Sequence, residues 1–227
     1  MDFCIKAWNL WLPSFDNDGL VLPANFALLS DIPAMARRRM SQLTKMAFQT
    51  AIAVEPENTI PCIFASRHGD LHKTVELLKA IAVSDDLSPT QFALSVHNAI
   101  SGQYSIFTLN NADMNAIAGG ANSLHYAVLE AASRLTTEED LTEILVVYAD
   151  EPVPDLDRQF CAEPAVAQSL AVLLSKDSGD KVSFSYRAAD ELETGSDSLL
   201  SLQSFLSKEA DHLEIHQGQK CWIWHRG

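Results

Sequence analysis

The hydrophobic pattern changes period along the chain and sets out strands and helices in turn. Ile5–Leu12 alternates loosely between apolar and polar residues and predicts a first strand. Asp31 and Pro33 are helix-start residues. Met35, Met40, Leu43, Met46, Ala47 and Thr50 then recur at helical spacing, so one helix is predicted through Val54. TIPCIFASRHG, residues 59–69, is a short apolar run closed by glycine, which suits a buried strand. Asp70 can cap the next helix, whose apolar face is Leu71, Val75, Leu78, Ile81 and Ala82. Ser88-Pro89 opens a further helix or turn. Met114–Ala118 is a short apolar strand followed by Gly119-Gly120, and Leu124, Ala127, Val128 and Ala131 then form a helical stripe. LTEILVVYA, residues 141–149, is the clearest strand pattern of all.

Beyond Glu151 the texture shifts. EPVPDLDRQFCAEPA, residues 151–165, is rich in proline and acid and predicts a loop. QSLAVLLSK and KVSFSYRA predict two strands joined by the turn DSGD. The polar linker ETGSDS precedes a predicted helix from Leu199 to Ala210. HLEIHQGQKCWIWHRG predicts a terminal hairpin about Gln217-Gly218. Strands alternating with helices of these lengths indicate a layered α-β-α domain. The expected sheet is mixed and mostly parallel, with five strands, plus the C-terminal hairpin.

Composition narrows the functional classes. The chain has 227 residues, 47% hydrophobic and 20% charged, in the range of ordinary globular proteins. Its net charge of −14, from 16 basic and 30 acidic residues, disfavours nucleic acid and anionic membranes as partners. Arg37, Arg38 and Arg39 are the one basic cluster and read as a solvated helix face. No apolar stretch reaches the roughly 20 residues of a membrane span. The start, MDFCIKAWNLWLPS, lacks a basic segment before its apolar residues, so a cytoplasmic protein is expected. Cys4, Cys62, Cys161 and Cys221 show no CxxC spacing and read as free thiols.

The candidate chemistry centres on the Gly-Gly turn. A strand, a tight turn and a helix N-terminus can present a nucleophile and hold an oxyanion with backbone N–H groups. Here Gly119, Gly120, Ala121 and Asn122 offer no thiol or hydroxyl. Ser123 and His125 follow it, and Ser66 lies beside Arg67-His68. A serine hydrolase would place its nucleophile in G-x-S-x-G at the elbow itself, whereas GGANS puts Ser123 into the helix. His212, His216, Cys221 and His225 form a loose H-x3-H-x4-C-x3-H series. Along a strand His212 and His216 would share one face and Cys221 and His225 the other, so a hairpin without metal is expected. His97 and Asn98 are the most distinctive polar residues in an apolar setting.

Three motifs in order carry a resemblance. PAMARRRMS (33–41), SRHG (66–69) and SPTQFALSVHNA (88–99), followed by AIAGG and a helix, resemble the N-terminal half of β-ketoacyl synthases of the thiolase fold. They look most like the chain-length factors of aryl-polyene-type type II ketosynthases. The matches span about residues 5–175, which implies a thiolase-fold N-terminal half (1–175) and an extension (176–227) within one ketosynthase-like domain, 1–227. In an active ketosynthase the elbow carries cysteine, and that position falls at Gly120 here. The second half-domain, with two catalytic histidines, has no counterpart in the chain. The resemblance therefore implies a silent subunit, without cofactor, that pairs with a full-length β-ketoacyl-ACP synthase. It would stabilise that partner, shape its acyl tunnel and meet acyl carrier protein indirectly. Phe92, Leu94, His97, Asn98, Gln103, Tyr104 and Phe107 would line the subunit interface or tunnel. The alternatives are a stand-alone acyl-thioester hydrolase or acyltransferase using Ser123 or Ser66, and a homodimeric acyl- or carrier-protein-binding module.

Overall fold

The computed structural model describes residues 1–15, 24–54, 56, 59–161, 165–194 and 198–227, the side chains of 190–194 and 198 excepted. Residues 195–197 of the expected linker and 162–164 of the expected loop lie outside the described residues. In chain order the elements are β1 (Asp2–Trp11), α1 (Ala34–Arg39), α2 (Gln42–Ala53), β2 (Cys62–Ala65), α3 (Leu71–Ala82), α4 (Pro89–Ser95), α5 (Ala99–Thr108) and β3 (Met114–Ile117). They continue as α6 (Ser123–Thr137), β4 (Glu143–Asp150), β5 (Gln168–Ser175), β6 (Asp180–Thr194), α7 (Ser198–Leu206) and β7 (His212–Arg226).

All seven strand runs join one sheet in the order β3-β2-β4-β5-β1-β6-β7. Only β3, β2 and β4 are mutually parallel, and every other pair is antiparallel. The expected five-stranded, mostly parallel sheet is thus corrected in strand number and in sense. Helical crossovers link β2 to β3 and β3 to β4, and such long connections are what parallel pairing requires. Beyond β4 no helix intervenes until α7 among the described residues.

The DSGD segment does not make a hairpin. β5 and β6 both pair antiparallel with β1, on its opposite edges, so the chain crosses over β1 between them. It crosses where the β1 register slips between Ile5 and Ala7. Gly179, at φ +115°, lies against that bulge, and a Cβ there would stand 2.2 Å from the Ile5 carbonyl oxygen.

Alternation along the strands divides the interior into two layers. Ile63, Ala65, Ile144, Val146, Leu170 and Val172 face α6 and α7. Cys62, Phe64, Leu145, Val147, Ala171 and Leu173 face α2 and α5. This is the α-β-α arrangement expected.

Several local expectations change in detail. The single helix predicted from residue 33 breaks at Met40, whose ψ of 134° is extended. Ser41 restarts it as the cap of α2, its Oγ accepting from Thr44 N at 3.2 Å. Asp70 caps α3 and Ser88 caps α4, as their positions predicted. Of the predicted α3 stripe only Val75 is buried; Leu78, Ile81 and Ala82 face outward, and Leu77, outside that stripe, is buried instead.

β7 doubles back on itself. Arg226 N donates to Asp211 O at 2.8 Å, although 15 extended residues would separate those ends by about 50 Å. The reversal has Gly218 at φ +61° and centres on Gly218-Gln219, one residue beyond the predicted turn. The Asp211–Arg226 bond fixes the register, opposing His212 to His225 and His216 to Cys221.

Candidate functional site

The elbow is built from the ends of β2 and β3 and the start of α6. After Ile117 the chain turns through Gly119, at φ −131°, and Gly120, at φ +60°, into a 3-10 turn (Gly120–Asn122) that leads into α6. Ser123 pins this turn. Its Oγ accepts from Gly119 N at 2.9 Å, and its hydroxyl donates toward Gly120 O at 2.7 Å, with Ser66 O also within 3.3 Å. A Cβ on Gly119 would meet the Tyr126 ring at 2.3 Å, so that position requires glycine. Gly120 is different, because no atom lies within 4 Å of where its Cβ would be.

Ser66 is equally committed. Its hydroxyl donates to Asp150 Oδ1 at 2.7 Å and accepts from Gly69 N at 2.9 Å, while Arg67 N donates to the same Asp150 oxygen at 2.8 Å. The SRHG loop is therefore wrapped around a buried carboxylate at the end of β4. Burial pushes the Asp150 pKa up, against the pull of these donors. Among the described residues neither Ser66 nor Ser123 is hydrogen-bonded to a histidine.

His125 is fully buried and stacks on Trp222 at 5.0 Å, and desolvation lowers its pKa to about 3. It stays neutral, packed as an aromatic. Trp222 in turn donates from Nε1 to Asn122 Oδ1 at 2.6 Å, tying the C-terminal hairpin to the elbow.

The residues expected to line an interface divide into two groups. Tyr104 and Phe107 turn inward and pack edge-on against Phe48, at 5.4 and 6.4 Å. Gln103 donates from Nε2 to Ala99 O at 3.3 Å within its own helix. His97 is bonded to backbone, its Nε2 lying 3.0 Å from Ile117 O just before the elbow. Its ring also fills the space over Gly69, where a Cβ would meet Nδ1 at 2.9 Å. Leu94 is partly covered, whereas Phe92 and Asn98 are exposed. The void beside Ser66 and His97 holds about 10 Å³, room for one water at most.

Two cysteines acquire histidine neighbours: one pair had no local motif, and the other, expected on opposite faces of a strand, is brought together by the hairpin. Cys161 Sγ lies 3.7 Å from His68 Nε2, and Cys221 Sγ lies 3.5 Å from His216 Nε2. Cys62 stays in the core, its thiol pushed up to about 12 by burial. Arg38 and Arg39 are exposed on α1, as a solvated face would be.

An open cleft of about 790 Å³ runs between the start of α2, the α3 face bearing His72, Lys73 and Glu76, and the loop Glu151–Leu156. In its wall the Glu151 pKa is raised from 4.5 to about 7, chiefly by burial and against the favourable field of His72. The folded carboxyl keeps its proton up to about pH 7, while the unfolded one releases it near 4.5. Between those values the folded state binds more protons, so stability falls as pH rises. The total loss is on the order of 3 kcal/mol. Glu151→Gln is expected to flatten this slope in urea titrations across pH 4–8. An unchanged slope would refute the assignment.

The β-ketoacyl synthase N-terminal domain family matches residues 8–225. The chain belongs to this family. No curated protein sequence matches it. Among solved structures, a chain of the complex of the ketosynthase ApeO with its chain length factor ApeC from Xenorhabdus doucetiae superposes with a TM-score of 0.84, at 20% identity over 100% of both chains. The ishigamide ketosynthase/chain length factor gives a TM-score of 0.64 at 15% identity, over 83% of this chain and 68% of that one. The type II acyl-carrier protein–ketosynthase complex AntDE:AntF gives 0.66 at 10%, over 84% and 70%. The fold is thiolase-like. Among the described residues, no helix is long and apolar enough to cross a membrane.

Proposed function

We propose that this chain is a non-catalytic, chain-length-factor subunit that pairs with an active β-ketoacyl-ACP synthase in the cytoplasm. The observation that carries the reading is the elbow: the strand, turn and helix of an acyl-transfer site, with Gly120 at its apex and both neighbouring serines bound into the scaffold. Acyl-enzyme formation needs an activated nucleophile, and no side chain of residues 119–122 provides one. The partner would supply the cysteine, the histidines and the dealings with acyl carrier protein. This subunit would stabilise the partner and help shape its acyl tunnel.

Exposed apolar residues favour a pairing role over a solitary one. Among the described residues, eight of the sixteen exposed large apolar side chains fall between Leu78 and Leu109. Among them Ile81, Val83, Phe92, Ile106 and Leu109 are each more than half exposed. They lie on α3, α4, α5 and the adjoining loops, which precede the edge strand β3. An unpartnered surface of this kind marks an interface, and an obligate one would bury about 2,000 Å² or more in all.

Co-expression with a full-length β-ketoacyl-ACP synthase of the same organism is the direct test. A stable heterodimer is expected, and Phe92→Asp with Ile106→Asp should weaken it at least ~10-fold, as loss of buried apolar anchors does. Circular dichroism of the variant should be unchanged. A chain that remains monomeric beside the ketosynthase, or turns over acyl thioesters alone and loses this with Ser123→Ala, would overturn the reading. A homodimer indifferent to the ketosynthase would point instead to a free-standing binding module.

A further inference from the structure

The C-terminal hairpin gathers soft and hard ligand groups on one face. Direct cross-strand partners share a face, as do residues two apart on one strand. The reversal at Gly218-Gln219 therefore puts His212, Glu214, His216, Cys221 and His225 together, where an unbroken strand would have parted them. Trp222 and Trp224 point the other way, into the core. Within that outer face three atoms converge. Cys221 Sγ lies 3.5 Å from His216 Nε2 and 3.4 Å from Glu214 Oε2, and the His216 and Glu214 atoms are 3.8 Å apart.

These separations have a chemical meaning. Zinc binds thiolate at about 2.3 Å and imidazole or carboxylate at about 2.0–2.2 Å, so the edges of its tetrahedron measure about 3.4–3.6 Å. The triangle in the hairpin matches one face of such a tetrahedron to within a few tenths of an ångström. We propose that Glu214, His216 and Cys221 bind a zinc-like divalent transition-metal ion as three of its ligands.

The surroundings suit this role. Cys221 is fully buried at the base of the triangle, while Glu214 and His216 keep part of their side chains exposed, which leaves an entry path. Arg187, the β6 partner of Cys221, donates from Nη2 to Glu214 Oε2 at 2.9 Å. A ligating carboxylate is commonly oriented by such an outer hydrogen bond, and its second lone pair remains for the metal. The bonds from Cys221 and Arg187 also hold Glu214 ionised, below the usual carboxylate range. On binding, Cys221 would release its thiol proton, and the thiolate and carboxylate charges would balance the dication. Thiolate with imidazole selects zinc, copper or cobalt over magnesium and calcium. The inference is independent of any catalytic or pairing role for the elbow.

Cobalt(II) is the probe, because a bound thiolate announces itself by sulfur-to-cobalt charge transfer. Titrating the full chain, metal-free, with cobalt chloride should give one equivalent of binding, a near-ultraviolet charge-transfer band and the intense visible bands of tetrahedral coordination. Zinc chloride should then displace the cobalt. Cys221→Ser should abolish the charge transfer, and His216→Gln should weaken binding at least ~10-fold. His225→Gln, on the same face but outside the triangle, should leave both unchanged. Because Cys221 is buried, its variant can fail to fold; His216→Gln, at a partly exposed site, then decides the matter. Absence of stoichiometric binding, cobalt binding without charge transfer, or full binding by His216→Gln would each overturn the proposal.

Discussion

Trp222→Ala is expected to lower the free energy of unfolding by about 3–5 kcal/mol, the range for removing a large buried aromatic. For a domain whose total stability is typically 5–15 kcal/mol, that is a large fraction. The cost is high because the indole is buried and shared. It stacks on His125 at 5.0 Å and on Phe184 at 5.6 Å, and meets Tyr126 edge-on at 5.5 Å. Removing it would also strip Asn122 of its 2.6 Å donor and leave His125 facing a void. Urea unfolding measures the global effect. Amide exchange across residues 119–122 tests the local one, since the elbow should open faster than distant strands. Trp222→Phe should retain most of the packing and lose chiefly the hydrogen bond, about 1 kcal/mol. Equal losses in the two variants would show that Asn122, and not the stack, dominates.

Gly179→Ala should be comparably severe, about 3–5 kcal/mol when backbone strain and overpacking are combined. At φ +115° an L side chain is strained whatever the space, and the added carbon would meet Ile5 O at 2.2 Å and Ile5 C at 2.6 Å. Those are backbone atoms of β1, so no rotamer change can relieve the collision. Thermal unfolding would show the loss directly. Gly218→Ala offers the contrast: it shares a positive φ but has nothing within 4 Å of its Cβ position, so strain alone remains, about 1–2 kcal/mol. If the two substitutions cost the same, the crossing over β1 is not what makes Gly179 indispensable.

The contrast between these glycines shows what could be read from sequence and what could not. DSGD announced a turn, and a turn is there. That β1 lies between the strands it joins depends on pairing across some 170 residues, which no local pattern records. The same limit explains the strand senses. β2, β3 and β4 are parallel because helices intervene, as their spacing foretold, whereas β5 and β6 take their places from β1. Local signals fared best where one residue acts on its neighbours: Asp70 and Ser88 cap as predicted. The break at Ser41 carried such a signal too, a serine three residues before Thr44, but the helical periodicity running past it concealed the restart.

At the elbow, glycine, serine and histidine positions were legible because they cluster in sequence. Asp150 was not, since an acidic residue at a strand end usually faces water. The clue was its place directly after an unbroken apolar run, VVYA, which carries it into the buried end of the sheet. Glu214 escaped notice for a similar reason. Its neighbours across the hairpin are set by the turn, and moving the reversal by one residue changes every partnership.

Gly120 leaves a final consequence. The glycine before it is locked by the Tyr126 ring, yet the apex is bounded by open space. A Cβ at 120 would ask no neighbour to move and would add only the strain of a left-handed backbone, about 1–2 kcal/mol. That residue 120 carries no side chain is thus a matter of composition and not of packing around its Cβ position. In evolutionary terms the backbone of this elbow can gain or lose a Cβ at its apex with little change to the scaffold around it.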